Sequence, residues 1–226
     1  MMNRTRPLVA AAVAAWLWPH ALAAQVPVPP TSAPIQLGPL SLYPTINLKD
    51  VGTDSNVLND ATDPKDDFTF TVNPRLLSVL RLGSAQLTAL SSNDFVYFRK
   101  YKGQQSVNAQ LGTRLDLTLS RLKPFVSGER VGTRERPNLE IDVRARRTEH
   151  NVMAGLDLEL TAITALTLSA RQDETSYAEG ERFRGVELAD ALDRKGRSAS
   201  AGMKLSVTPF TTLLLAAEMQ QDRFDR

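Results

Sequence analysis

Apolar and polar residues alternate over long stretches of this chain, and that pattern constrains the fold more than any other feature. From Ser106 to Leu119 the odd positions are apolar apart from Thr113, and the even positions are polar or glycine. Successive side chains of a β-strand point to opposite faces, so the segment has one apolar face and one polar face. At 3.6 residues per turn the same leucines would scatter around a helix. The segment is therefore predicted to be an amphipathic strand.

The same pattern recurs along the chain and predicts nine strands. Several are about 10 residues or longer, whereas a soluble strand has roughly 5–6 and a tilted bilayer-spanning strand about 9–11. The predicted strands cover residues 40–48, 68–74, 85–89, 107–119, 124–128, 152–160, 166–170, 199–207 and 213–219.

The predicted connections alternate between short and long. Short ones lie at 74–83, 121–123, 161–165 and 208–211, and long polar ones at 49–66, 91–105, 131–148 and 172–197. Outer-membrane barrels have short periplasmic turns and longer extracellular loops. The predicted fold class is thus all-β, an up-and-down antiparallel transmembrane β-barrel over residues 40–226. A soluble periplasmic or secreted β-rich binding protein is the alternative, because soluble sandwiches and cups also use amphipathic strands.

The two faces of these strands predict two environments. The apolar rows carry no charge, as expected of a lipid-facing surface, where Lys or Arg near the midplane costs about 2–4 kcal/mol. The polar rows are predicted to face a lumen, with charges that need water or mutual pairing. An aromatic girdle is only faintly visible, at Phe68, Phe70, Tyr97, Phe98, Phe125 and Phe210. The lumen-facing candidates are Arg114, Asp116, Glu129, Asp157, Glu159, Arg171, Lys204 and Glu218.

The N-terminal residues predict export. Arg4 and Arg6 precede an apolar run from Leu8 to Trp18, which ends near Ala21-Leu22-Ala23. A positive region, a short apolar region and an Ala-x-Ala site are typical of a cleaved signal peptide, here residues 1–23. Residues 24–39 contain five prolines and are predicted to form an extended periplasmic lead.

Composition excludes several classes of protein. The chain has no cysteine, so it has neither disulfides nor thiolate metal sites. Cleavage of the predicted signal peptide removes Arg4 and Arg6. The number of basic residues then equals the number of acidic residues, 25. A strongly basic nucleic-acid-binding protein is thereby excluded.

No enzyme, cofactor or metal site is predicted. The mature chain has one histidine, His150, which falls in an apolar row and is expected at the lipid interface. An acidic loop has the oxygen ligands of a Ca²⁺ site but lacks the Asp-x-Asp-x-Asp-Gly order, and we interpret it as solvated. Its carboxylates are Asp50, Asp54, Asp60, Asp63 and Asp66.

Two loop features suggest further roles. Arg144, Arg146 and Arg147 are predicted to contact phosphates of outer-leaflet lipopolysaccharide. Residues 186–193 have the spacing of a short helix through Leu188 and Leu192, which either folds into the pore or lies on the rim.

The sequence resembles a family of β-barrel porins of Gram-negative outer membranes. The likeness spans residues 38–226 and rests on Pro44, the motif Thr-Asp-Ser-Asn-Val-Leu at 53–58, Asp-Phe-Thr-Phe at 67–70 before Asn73-Pro74, and Thr-Pro-Phe-Thr-Thr at 208–212. The resemblance implies a passive channel or structural barrel, in some members linked to polysaccharide export. Its implied partners are outer-membrane lipid, lipopolysaccharide and, during insertion, the barrel-assembly machinery.

The chain departs from this family at its last strand. It ends at Asp225-Arg226 without a terminal aromatic residue, and Phe224 falls in the polar row. Nine strands is also an odd number, whereas bacterial single-chain barrels have an even number. We therefore expect either missing C-terminal strands or an unrecognised short strand within 131–142.

Overall fold

The computed structural model describes residues 35–60, 62–137, 141, 143–208 and 210–224, and it is dominated by one antiparallel sheet. The predicted signal peptide and most of the predicted lead lie outside these residues. The strands of the main sheet are β1 (Ile35–Leu37), β2 (Leu40–Asp54), β3 (Asp67–Leu82), β4 (Ala85–Phe98), β5 (Ser106–Leu117), β6 (Leu122–Glu135), β7 (Ala145–Glu159), β8 (Thr164–Tyr177), β11 (Arg194–Thr208) and β12 (Thr211–Phe224). The loop between β8 and β11 holds a hairpin of β9 (Arg182–Phe183) and β10 (Val186–Glu187), followed by helix α1 (Leu188–Leu192).

Each strand of the main sheet pairs antiparallel with its neighbour in sequence, in the order β1-β2-β3-β4-β5-β6-β7-β8-β11-β12. The predicted all-β, up-and-down antiparallel fold is confirmed, and all nine predicted strands are present. Residues 35–37 of the predicted lead form an additional strand, because Gly38 at φ +57° reverses the chain onto β2. The described sheet is open: within it, the edge of β12 that faces away from β11 and the edge of β2 beyond Leu42 that faces away from β3 have no partner strand.

Connection lengths alternate as predicted. Turns of two to four residues join one end of neighbouring strands, which we call the short-turn end, and loops of seven to sixteen residues join the other, the long-loop end. The strands extend further than predicted, to 12–16 residues for the nine long ones. The prediction of a connection at 74–83 is wrong: β3 continues to Leu82, and the turn is formed by Gly83 and Ser84.

A side-chain amide helps to carry β3 through its proline. Pro74 has no N–H to donate, and the ladder between β3 and β4 skips Asn73 and Pro74. The Nδ2 of Asn73 instead donates to the carbonyl oxygen of Asn93 at 3.3 Å and to Oδ1 of Asp94 at 2.6 Å. These bonds replace part of the interrupted ladder, so the strand does not end at the proline.

Burial distinguishes the two faces of the sheet. Residues in register across the strands share a face, and the buried side chains of the sheet all fall on one of them, the inner face. No second layer among the described residues covers either face, so we infer that the sheet curls around the inner one. On the opposite, outer face Val107, Leu111, Val126, Val152 and Leu168 are 42–58% exposed. The buried inner-face side chains are Ser41, Tyr43, Asp67, Thr71, Asn73, Leu77, Val79, Thr88, Leu90, Phe98, Asn108, Thr133 and Ala145.

The strands are staggered by one residue per step. Gln86, the second residue of β4, is in register with Glu218, the eighth residue of β12, six strand-to-strand steps away. A one-residue stagger per strand corresponds to a strand tilt of about 36° in a closed barrel. The register row runs through Gln86, Asp116, Phe125, Gly155, Ser169, Ser200 and Glu218.

Part of the inner face is apolar, contrary to the prediction of a polar row. Tyr43, Leu77, Val79 and Leu90 form a cluster on β2–β4, with Val79 fully buried. The prediction failed here because residues 76–80 are almost continuously apolar and hide the two-residue period.

Candidate functional site

The strand register places all eight predicted lumen-facing residues on the inner face. Arg114 and Asp116 lie on β5, Glu129 on β6, and the others on β7, β8, β11 and β12. This common face follows from the two-residue period of the strands, which the sequence already displays.

Three strands neutralise their inner-face arginines in the same way. An arginine is followed two residues later by a carboxylate, and residues two apart on a strand project from the same face. Each strand therefore carries a local neutral pair. The pairs are Arg114 Nη2 to Asp116 Oδ1 at 2.8 Å, Arg147 Nε to Glu149 Oε1 at 2.6 Å, and Arg171 Nε to Asp173 Oδ1 at 3.9 Å.

Most of the other predicted lumen-facing carboxylates accept hydrogen bonds from a neighbouring strand. Glu159 pairs with Nζ of Lys123 at 2.5 Å. Asp157 accepts from the hydroxyl of Thr167 at 2.7 Å, and Glu129 accepts from the amide of Gln110 at 2.5 Å. Within the described residues, Lys204 and Glu218 form neither an ion pair nor a side-chain hydrogen bond.

A polar network that the sequence did not predict crosses β2, β3 and β4 on the inner face. Lys49 Nζ lies 2.9 Å from Oδ2 of Asp94, across the intervening strand β3. Asn73, placed between them, also accepts from the amide of Asn47 at 3.2 Å. Asp94 was missed because residues 91–105 were predicted to be a loop. The contact between β2 and β4 is a second sign that the sheet curls around this face.

Phe125 lies on the inner face, not in a membrane girdle. The guanidinium of Arg114 stacks over its ring at 4.0 Å from the centroid. The ring extends over Gly155 of β7, where a side chain would meet it. Phe98 is likewise buried on the inner face. Three other residues of the predicted girdle, Phe68, Phe70 and Tyr97, form an aromatic group on the outer face. The rings of Phe70 and Tyr97 are stacked, with their centroids 4.7 Å apart.

Helix α1 lies at the inner rim of the long-loop end. Leu188 is buried, and the backbone N–H of Tyr177 donates to Asp193 just after the helix at 2.7 Å. Leu192 therefore borders the inner face rather than the outside of the sheet. Together with inner-face residues it lines a cavity of about 260 Å³, formed by Pro137, Arg147, Glu149, Thr175, Tyr177, Leu192, Arg194 and Phe224.

Of the three arginines predicted to contact lipopolysaccharide, only Arg146 lies on the outer face. Its side chain is 69% exposed. Arg147 shares the inner face with Thr133, its register partner. The guanidinium of Arg144 lies over the ring of Phe98 at 5.0 Å, donates to Oγ of Ser106, and has its pKa lowered by burial.

The acidic loop is organised by its own hydrogen bonds. The Asp60 carboxylate accepts from the backbone N–H of Thr62 and Asp63 and from the Thr62 hydroxyl, and these bonds lower its pKa. Asp66 pairs with Lys100, which lowers the pKa of that carboxyl. Across the described residues no three His, Cys, Asp or Glu side chains are placed to hold a metal ion.

Asp67 joins this loop to the next one. Its carboxylate is fully buried and accepts from the backbone N–H groups of Phe68, Lys100 and Tyr101 at 2.7–3.0 Å. Two long loops are thus held together at one point of the inner rim.

His150 lies on the outer face, in register with Arg130 and Glu174, as its position in the sequence pattern predicted. No helix in the described part of the chain is long and apolar enough to cross a membrane. No protein-family model matches the chain. No curated protein matches its sequence. The resemblance to β-barrel porins therefore stays a prediction based on the short motifs that suggested it.

Proposed function

We propose that this chain forms the wall of a transmembrane β-barrel in the outer membrane of a Gram-negative bacterium and acts as a porin-like passive channel. No catalytic step is part of the proposal. The observation that carries it is the continuous, exposed and uncharged band on the outer face, opposite an inner face that carries charged side chains along every strand of the main sheet from β3 to β12.

The height of this band supports a membrane location. From β3 onward, the first charged or titratable outer-face residues lie nine to thirteen residues from the short-turn end, beginning with Arg130 on β6 and ending with Arg223 on β12. At a rise of about 3.4 Å per residue and a tilt of about 36°, this distance is about 25–35 Å. The apolar band of known barrels is about 25 Å tall.

The exposed band is difficult to reconcile with a soluble protein. Leu213, Leu215 and Met219 on β12 are 47–80% exposed, and Leu111 and Val152 on the middle strands exceed 50%. A large contiguous apolar surface marks a membrane or protein contact. Lipid also requires a partner for every backbone donor and acceptor, so in a membrane the open edges of β2 and β12 must be paired.

The first experiment separates the barrel from a soluble β-rich binding protein. The full chain would be isolated from bacterial membranes, partitioned with detergent, and run on gels with and without heating. A barrel is expected in the detergent phase with heat-modifiable migration. Aqueous partition with a single migration position would refute the membrane assignment.

The second experiment tests the channel. Purified protein would be inserted into planar bilayers and its conductance recorded in a salt gradient. Because Arg114, Arg147 and Arg171 are each neutralised by a carboxylate of their own strand, we expect stepwise conductance with weak ion selectivity. Insertion without conductance would refute the channel and leave a structural barrel; a link to polysaccharide export would then have to be structural.

A further inference from the structure

The charged residues of the outer face cluster at one end of the sheet. From β3 onward, outer-face strand residues that carry a full charge occur only toward the long-loop end, and six of the seven are basic. The short-turn end of this face has none. The basic residues are Arg130, Arg134, Arg146, Lys195, Arg197 and Arg223, and the acidic one is Glu174.

The densest part of this group is on β11 and β12. Lys195 and Arg223 are direct register partners, and Arg197 lies two residues from Lys195 on the same face, opposite Gln221. All four side chains are exposed and line one open surface hollow of about 360 Å³. We call these four residues the basic patch.

Two of the three cations of the basic patch have no carboxylate partner among the described residues. Nζ of Lys195 lies 3.4 Å from Glu174. Neither Arg197 nor Arg223 forms an ion pair with any residue of the described chain. Like charges directly opposite each other on neighbouring strands destabilise a sheet, so Arg223, which faces Lys195 in the register, favours an anion beside it.

The patch directly borders the apolar band. Along β11 Arg197 is followed on the same face by Ala199 and Ala201, and along β12 Gln221 is preceded by Met219 and Ala217. These apolar residues form a second, shallow outer-face hollow lined mainly by alanine and leucine. A ligand that reaches both hollows needs an anionic headgroup next to acyl chains.

We propose that the basic patch binds the phosphate groups of lipopolysaccharide in the outer leaflet, with acyl chains lying over the alanine-rich hollow below it. This inference rests on the proposed function, which places the long-loop end at the outer surface. Guanidinium groups bind phosphate oxygens in a bidentate fashion, and glutamine adds a neutral donor. The proposed contact lies on β11 and β12, whereas the arginines predicted from the sequence, Arg144, Arg146 and Arg147, lie at or just before the start of β7.

The test compares binding of bisphosphorylated lipid A, dephosphorylated lipid A and inorganic phosphate to the full chain in detergent. The variant K195A/R197A/R223A removes the patch. The control R99A/K102A/R121A removes three exposed cations from loops and a turn and gives the same change in net charge. Heat-modifiable migration verifies folding of each protein and tests the proposed barrel independently of lipid binding.

Near an anionic lipid surface each basic residue increases the binding affinity by roughly a factor of five. The triple variant should therefore bind bisphosphorylated lipid A about 100-fold more weakly than the wild type. The control should bind like the wild type, and higher salt should weaken only wild-type and control binding. If the triple variant fails to fold, the single change R197Q replaces it, with an expected loss of about five-fold.

Three results would overturn the proposal. Undiminished binding by the folded patch variant would exclude these residues. Equal binding of dephosphorylated lipid A would assign the affinity to the apolar band alone. Binding of inorganic phosphate as tight as that of lipid A would make the patch a site for free anions.

Discussion

The contact of Phe125 with Gly155 gives the sharpest test of the inner-face packing. A Cβ atom on Gly155 would lie 2.7 Å from Cε1 of the Phe125 ring, with Cζ nearer still, and 2.8 Å from the carbonyl oxygen of Leu168. Ordinary contacts begin near 3.4 Å, so the ring would have to move by most of an ångström and would lose its position under Arg114. Overpacking of this kind costs about 1–3 kcal/mol.

We therefore expect Gly155→Ala to lower the free energy of unfolding by about 1–3 kcal/mol. Urea unfolding in lipid vesicles, followed by far-UV circular dichroism, measures this change. Gly132→Ala is the matched control, because no atom lies within 4 Å of the position that its new methyl group would take, and its φ is not positive. Alanine in place of glycine there should be neutral or stabilising by about 0.5 kcal/mol.

A double-mutant cycle identifies the cause. Phe125→Ala removes the ring, so in that background Gly155→Ala should cost less, although the Leu168 carbonyl still restricts the new methyl group. If Gly155→Ala is as stable as Gly132→Ala, the ring does not lie over the glycine and the described packing is wrong.

Three other predictions concern the loops and the strand ladder. Asp67→Ala leaves three backbone N–H groups without their carboxylate acceptor, so we expect the free energy of unfolding to fall by about 2–3 kcal/mol. Tryptic cleavage within residues 99–105 should become faster, and Asp67→Asn should have an intermediate effect. The pKa of Asp66 is lowered by Lys100, so its NMR titration midpoint should lie below 3.8 and rise in Lys100→Met. The stabilisation from this pair should be complete above the unfolded pKa and fall as the pH drops through the folded one. Asn73→Ala removes the amide that bridges the proline gap and should destabilise the protein by about 1–3 kcal/mol in the same urea assay, whereas an unchanged midpoint would refute the bridging role.

The two-residue period was enough to predict the sheet, because an exposed apolar face imposes that period on every strand. It failed where other forces extend a strand. Residues 91–98 are polar on both faces at several positions, yet backbone pairing with β5 keeps them in β4. Residues 76–80 are apolar on both faces, which concealed the inner cluster around Val79.

The sequence predicted which face of the sheet the candidate site lies on, but only some of the contacts within it. The two-residue period assigned all eight charged residues to one face of the sheet. It could not reveal ion-pair partners contributed by other strands, such as Asp94 for Lys49. It could not place Arg144 either, because that residue precedes β7 and its guanidinium stacks on a ring contributed by β4. Contacts between distant segments depend on curvature, which no local pattern contains.

The one-residue stagger of the strands also determines how deep each residue of a register row lies in the bilayer. Six steps of about 4.8 Å along a row inclined by about 36° separate its ends by about 17 Å along the membrane normal. Gln86 and Glu218 belong to the same register row, yet by this geometry Gln86 sits near the periplasmic headgroups and Glu218 close to the bilayer centre. Spin labels placed along a neighbouring outer-face row, which has the same inclination, should therefore report oxygen accessibilities that change steadily from strand to strand instead of one common value.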